Sequence, residues 1–237
     1  MQIAHAFDSV LTEYPESDGQ PMAENTIQFR WITTIQGGID AMFSDRDDVL
    51  VAGDLFWYPI EGDNTTRVAP DVMVVFGRPR GDRGSYMQWR ENDVAPHVVF
   101  EVLSPGNTAV EMLNKLEFYD TFGVEEYYLF DPQSMTFKAW HRESDRYLRL
   151  LKESPIHSPR LGLRFEIVNE AFIIKRPDGK EFETFVEMYH RAERERLRAE
   201  REQLRAEQEQ LRAEKERLRA EHLAKYLRSR GIDPETI

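Results

Sequence analysis

The 237-residue chain contains no cysteine. That removes disulfide frameworks, thiolate metal sites and thiol nucleophiles, and it fits a reducing compartment. No apolar run approaches the ~18 residues that a membrane-spanning helix needs, so an integral helical membrane protein is not expected. The opening MQIAHAFDSV carries neither a basic stretch nor an apolar segment behind it; no secretory signal is expected, and a cytoplasmic location follows as an expectation. Positive charge is also in short supply, with a formal net charge of −12. The deficit is local. From Glu187 to the end there are 13 basic and 12 acidic residues, whereas Met1 to Val186 holds 18 basic and 31 acidic. A domain that coats nucleic acid by bulk electrostatics has the opposite balance. Metal ions can offset acidic clusters at a site, so metal-assisted chemistry stays open. His97 and His141 show no paired ligand spacing, and neither a Ser-His-Asp set nor a Walker-type Gly-Lys-Ser/Thr occurs.

What is present reads as one α/β domain followed by a helix. Residues 1–20 are polar, with Pro15 and Gly19, and read as a flexible lead-in. A helix is expected next, because Ile27, Trp31, Ile35 and Ile39 recur at spacing four and Met42 and Phe43 extend the stripe. Gly37-Gly38 inside it reads as a bend or an early end. Val49–Val51 and Leu55–Tyr58 suggest a strand broken at Gly53-Asp54, and Val68–Phe76 a second strand in hairpin partnership with it. Gly77 to Pro96 is a long hydrophilic stretch with Arg78, Arg80, Arg83 and Arg90 beside Tyr86 and Trp89; loops of that length are usually functional or mobile. His97–Leu103 has the density of a strand buried on both faces. A helix over Val110–Phe122 capped by Gly123 follows, then a strand over Glu125–Phe130. Weaker strands are expected around Phe137–His141, Tyr147–Leu151, Leu161–Val168 and Phe172–Arg176.

Two carboxylates stand out. Glu101 interrupts the apolar run Val98–Leu103, and Asp71, after Pro70, opens the run Val72–Phe76. A carboxylate in a buried strand costs several kcal/mol unless a cation or hydrogen bonds compensate it. Two of them on adjacent strands make an oxygen-rich site suited to Mg²⁺ or Mn²⁺. Taken alone, each carboxylate fits better a salt-bridged group or a solvated strand end, since ion pairs also retain such residues.

The ordered set Ala69-Pro70-Asp71-Val72, Phe100-Glu101-Val102-Leu103-Ser104-Pro105, Lys115-Leu116-Glu117-Phe118-Tyr119 and Gly123 to Pro132 resembles the PD-(D/E)XK nuclease superfamily. Within it, the chain resembles a large bacterial family of restriction-endonuclease-like proteins, over most of Met22 to Asn169. Gly231-Ile232-Asp233-Pro234 looks like a recurrent ending of that family. The resemblance implies a restriction-endonuclease-like αβββαβ core with a mixed central sheet, here followed by a long C-terminal helix. It implies a Mg²⁺- or Mn²⁺-dependent endonuclease acting on DNA and a product with a 5′-phosphate; a homodimer is a separate expectation, with the helical tail bringing subunits or partners together. By that resemblance Asp71, Glu101 and the backbone carbonyl of Val102 hold the metal. The usual lysine two residues after the glutamate is replaced by Leu103, and Lys115 on the next helix is its substitute. Glu24 is a further acidic candidate from the first helix, although a helix N-terminus favours a carboxylate for its own sake. Arg78, Arg80 and Arg83, with Tyr119, are candidates for substrate binding; a solvated loop with aromatics packed on the core is the alternative. Lys115 also reads as an ordinary solvated helix lysine.

The division expected is therefore a lead-in over 1–20, a nuclease-like domain over 21–186, a charged helix over 187–230 and a short tail over 231–237. In the helix Leu197, Leu204, Leu211 and Leu218 recur at period seven within L-R-A-E units. Pairs such as Glu195 with Arg198 and Arg198 with Glu202 are expected to support it. One leucine per heptad leaves a self-associating coiled coil and a solvated helix as open readings. The missing lysine at position 103 and the acidic domain keep a second functional reading open: a catalytically idle domain that serves as a binding or assembly module, with a partner taken through the helix.

Overall fold

The structure, a computed structural model, describes residues 12–17, 19, 23, 25–142 and 147–231. It divides into two compact units, one ending at Thr184 and the other beginning at Phe185. The first unit carries α1 (Thr26–Met42), β1 (Val49–Ala52), β2 (Trp57–Tyr58), β3 (Val72–Phe76) and β4 (Tyr86–Met87), then β5 (Val98–Val102), α2 (Ala109–Thr121), β6 (Glu126–Asp131) and β7 (Thr136–Arg142), and last β8 (Leu148–Leu150), β9 (Ile156–His157), β10 (Arg164–Val168) and β11 (Ala171–Lys175). The second unit is α3 (Phe185–Ser229).

Six strands form the central sheet in the order β1-β3-β5-β6-β7-β8. β3 runs antiparallel to both β1 and β5, whereas β5 and β6 are parallel and joined through α2, so the sheet is mixed. This is the αβββαβ order, α1-β1-β3-β5-α2-β6, with two extra strands, β7 and β8, at one sheet edge and a small sheet, β11-β10-β9, added. Side chains alternate across a strand, and the alternation sorts the core into two layers. Val72, Val74, Val98, Phe100, Val102 and Tyr128 face Ile32, Ile35 and Ile39 of α1 and the small sheet. Met73, Val75, Val99 and Tyr127 face Tyr119 of α2 together with Trp57 and Tyr86. Each of these apolar side chains contributes about 1.5–3 kcal/mol by leaving water.

Several expectations change for identifiable reasons. The stripe that α1 buries is Gln28, Ile32, Ile35 and Ile39, while Ile27 is 47% exposed. Gly37-Gly38 neither bends nor ends the helix. A Cβ on Gly38 would lie 2.5 Å from the Phe182 ring, so this glycine lets an aromatic ring rest on the helix backbone. The strand expected over Leu55–Tyr58 leaves the main sheet and pairs with β4 as a separate two-stranded sheet, β2-β4, with Trp57 opposite Tyr86. Only Val72–Phe76 of the second expected strand joins β1; Val68 forms an isolated bridge to Trp57.

The lead-in is partly docked. The Tyr14 ring lies 5.2 Å from that of Tyr58 and 5.1 Å from that of Trp89. The Tyr58 hydroxyl donates to Pro15 O at 2.6 Å, and Asn64 Nδ2 to Glu13 O at 2.7 Å. Among the described residues of α3, Arg198 forms neither expected ion pair. The pairs include Arg191–Glu195, Glu193–Arg196, Arg196–Glu200 and Arg217–Glu221. Of the family-like ending, positions 232 to 234 lie outside the described residues.

Candidate functional site

Ladder register and strand parity bring Asp71 and Glu101 together. Val72 pairs with Phe100 on antiparallel strands, so the next step of that ladder sets Asp71 across from Glu101. Both residues share the parity of Met73 and Val99, the layer that faces α2. Glu101 is 3% exposed. Asp71 Oδ2 accepts a hydrogen bond from the Val102 backbone N–H at 2.6 Å. Its other oxygen makes no hydrogen bond among the described residues.

α2 supplies the counter-charge. Ser104 N donates to Asn107 Oδ1 at 2.8 Å, and Thr108 with Glu111 forms a reciprocal capping box, so the turn after β5 leads straight into a well-nucleated helix. Two turns along, Lys115 Nζ lies 2.9 Å from Glu101 Oε2. One turn further, the Tyr119 hydroxyl donates to Glu101 Oε1, and the Tyr119 side chain is fully buried. A helix presents residues i and i+4 on the same face, which is why one carboxylate receives both groups.

α1 contributes Gln28, whose Nε2 donates to Val102 O at 2.8 Å while the side chain is buried. Apolar periodicity overlooks Gln28, because it is the polar member of the buried stripe; its spacing from Ile32 and Ile35 is the signal that could have found it. Tyr127 on β6 carries no signal in the local pattern beyond its place in an apolar strand. Its hydroxyl is buried and has no hydrogen-bond partner among the described residues.

The charges do not balance. Burial, followed by the charge of Glu101, pushes Asp71 well above the usual carboxylate range, against the pull of the Val102 N–H and of Lys115. Burial works to lower Lys115, but the charge and hydrogen bond of Glu101, with Asp71 behind it, outweigh burial and raise its pKa. Lys115 therefore stays cationic at neutral pH. Burial and then Glu101 raise Tyr119 far above the usual tyrosine value, which keeps its hydroxyl a protonated donor. Tyr127 moves upward as well, through burial and then the charges of Glu101 and Asp71, so it sits in the same field. Two carboxylates thus meet one ammonium.

The donor chemistry fits a hard dication. Among the described residues no cluster of three His, Cys, Asp or Glu side chains exists that could hold a metal. The oxygens on hand are two carboxylates and the carbonyl of Val102, the hard-ligand type that Mg²⁺ and Mn²⁺ prefer. The uncommitted Asp71 oxygen and the upward push on Asp71 are what a positive ion would relieve, and Tyr127 leaves a donor in the same field unspent. Glu24 lies outside the described residues.

The arginine loop is arranged otherwise. Gly77, at the opposite end of β3 from Asp71, starts it, and it contains β4 and a short 3-10 turn over Gln88–Glu91. Arg78 Nε and Arg83 Nε bind the two oxygens of Glu91 at 2.9 and 2.7 Å. Arg80 reaches Asp40 at 2.5 Å and Phe43 O at 3.1 Å. The structure therefore gathers Asp71, Glu101, Val102, Lys115 and Tyr119, and leaves Arg78, Arg80 and Arg83 in ion pairs elsewhere. On the α1 face of the sheet a second buried carboxylate, Glu126, is fully engaged by the Tyr128 hydroxyl at 2.9 Å, Arg160 N at 2.7 Å and Ser158 Oγ. It ties the segment after β9 to the sheet.

No helix of the described residues is long and apolar enough to cross a membrane. No curated protein matches the chain. Among solved structures, the crystal structure of a putative nuclease belonging to DUF820 from Anabaena variabilis ATCC 29413 is similar at a TM-score of 0.44 and 15% sequence identity, over 59% of this chain and 74% of that one. A family model described as "Uma2: Putative restriction endonuclease" matches residues 17–167, more than half of the chain and the whole stretch from before α1 into β10. The chain belongs to the Uma2 family of restriction-endonuclease-like proteins.

Proposed function

We propose that the domain hydrolyses phosphodiester bonds of DNA with Mg²⁺ or Mn²⁺ held by Asp71, Glu101 and the carbonyl of Val102. The observation that carries this reading is the meeting of Asp71 and Glu101 across neighbouring strands with Lys115 Nζ 2.9 Å from Glu101. The family description points the same way. Bound there, such a cation lowers the pKa of a water and polarises a phosphate oxygen.

The chain's own groups do the rest. Asp71, just before β3, and Glu101, on β5, present their oxygens side by side, and the Val102 peptide joins them by giving its N–H to Asp71. Gln28 holds the Val102 carbonyl in place from α1. Tyr119 fixes one oxygen of Glu101 and so limits the rotamers of that side chain. Lys115 is 21% exposed and reaches both Glu101 and solvent; a protonated ammonium there orients the attacking water and stabilises the negative charge that develops on the phosphate. It takes the role that Leu103 cannot. Arg78, Arg80 and Arg83 have no part in this proposal, because Glu91 and Asp40 hold their guanidinium groups.

The test is nicking of supercoiled plasmid and of labelled duplex by the purified chain with Mg²⁺, Mn²⁺ or a chelator. Cleavage is expected only with the cation. It should fall by at least about a hundredfold in Asp71→Asn, Glu101→Gln and Lys115→Ala, with folding checked by circular dichroism. Cleavage that survives these substitutions overturns the reading. Leu103 favours the competing view of an idle domain; calorimetric titration with Mn²⁺ separates the two, since an idle domain takes up no cation at Asp71 and Glu101.

A further inference from the structure

We propose that α3 pairs with a second copy of itself as a parallel, in-register, two-stranded coiled coil whose direction is chosen by charge. Leu197, Leu204, Leu211 and Leu218 follow one another every seven residues and stand 40–56% exposed in the single chain. With these leucines at heptad position d, position e is Arg198, Arg205, Arg212 and Arg219, and position g is Glu200, Glu207, Glu214 and Glu221. Four consecutive heptads thus flank the leucine seam with arginine on one side and glutamate on the other.

That arrangement is complementary to itself in one orientation. In a parallel pair, g of one heptad faces e of the next heptad on the other helix. Glu200 then meets the second copy's Arg205, Glu207 its Arg212 and Glu214 its Arg219, and each contact occurs twice. In an antiparallel pair g faces g and e faces e, so glutamates meet glutamates and arginines meet arginines. The pattern attracts in the first case and repels in the second.

The arginines are uncommitted, while of the glutamates Glu200 and Glu221 make only long, exposed ion pairs with Arg196 and Arg217, at 3.6 and 3.8 Å, and Glu207 accepts from Gln203. Among the described residues, Arg198, Arg205, Arg212 and Arg219 form no ion pair within their own chain. The ion pairs along the helix use Arg191, Arg196 and Arg217 instead. Position a is polar throughout, with Arg201, Gln208, Lys215 and His222. Long stems at a can lie along the leucines while their charged ends reach water. Polar residues at position a cost stability, while they help to fix register and oligomer state. The seam is narrow, so the dimer dissociates on dilution.

The proposal stands apart from the nuclease reading, because its readout is mass and not cleavage. Sedimentation velocity of the full chain over a dilution series is expected to show two chains per particle, passing to one at low concentration. Two charge variants test the pairing rule. One carries Arg198→Glu, Arg205→Glu, Arg212→Glu and Arg219→Glu; the other carries Glu200→Arg, Glu207→Arg, Glu214→Arg and Glu221→Arg. Each alone is expected to sediment as a single chain, and an equal mixture as a pair. Recovery in the mixture shows that neither variant lost association merely by failing to fold. Direction is read with Leu218→Cys in this cysteine-free chain. Parallel pairing sets the two introduced thiols side by side and gives a covalent dimer under mild oxidation, whereas an antiparallel pair centred on the helix holds them roughly 30 Å apart. A chain that stays single at all concentrations, charge variants that still pair alone, a mixture that fails to recombine, or thiols that do not couple would each overturn the proposal.

Discussion

Replacing Asp71 by asparagine is expected to stabilise the cation-free protein, although the side chain is hydrogen-bonded and partly buried. Asparagine keeps the oxygen that accepts from Val102 N, so about 1 kcal/mol of hydrogen bonding is retained. What disappears is a charge facing Glu101 with one ammonium between them. Relief of such an imbalance is worth about 1–3 kcal/mol, and for a domain of this size that is a rise in Tm of about 2–12 °C.

The pH dependence carries the same sign. Unfolded, Asp71 ionises at about pH 3.9; folded, it ionises well above that, chiefly through burial and then through Glu101. Between the two values the folded state binds more protons than the unfolded state, so stability falls as pH rises through that window. The difference between wild type and Asp71→Asn isolates this contribution, being near zero in acid and growing toward neutral pH. Added cation reverses the ranking. At a hundred times its Kd, Mn²⁺ adds about 2.7 kcal/mol to wild type and nothing to the variant. Differential scanning calorimetry with chelator and with Mn²⁺, from pH 4.5 to 8, reads both effects. A variant that melts below wild type in chelator, or that gains as much from Mn²⁺, refutes the reasoning.

Other substitutions report on the supports of the site. Tyr119→Phe removes a hydroxyl that donates to a buried carboxylate and is expected to lower stability by about 1.5–3 kcal/mol; urea unfolding checks it, and an unchanged midpoint would mean that Glu101 finds another donor. Gly38→Ala would gain about 1 kcal/mol by helix propensity alone. The contact with Phe182 is expected to outweigh that gain through overpacking of about 1–3 kcal/mol, leaving a net loss measurable by thermal melting; a net gain would show that Phe182 moves aside freely.

Much of the architecture could be read in advance because it rests on local patterning. The apolar density of Val98–Leu103 announces a strand covered on both faces, and Thr108 with Glu111 announces the start of α2. Where local pattern misled, a tertiary partner was the reason. Gly38 looks like a break until Phe182 is beside it, and Ile27 looks like core until Gln28 takes its place in the buried stripe. Tyr119 read as a group for substrate, and it is a fully buried donor to Glu101.

By itself, then, the order of residues determined which segments are strands and helices, that Asp71 and Glu101 are carboxylates in apolar surroundings, and that the leucines of α3 repeat by seven. Those features depend on periodicity and on neighbours a few positions away. Only the folded chain decided that Asp71 lies across from Glu101, that Lys115 and Tyr119 both end on that one side chain, and that Gln28 reaches the Val102 carbonyl 74 positions away. Such meetings depend on ladder register and on the rotation of each helix over the sheet. Both are set by how the two apolar layers fill space together, which no single segment encodes.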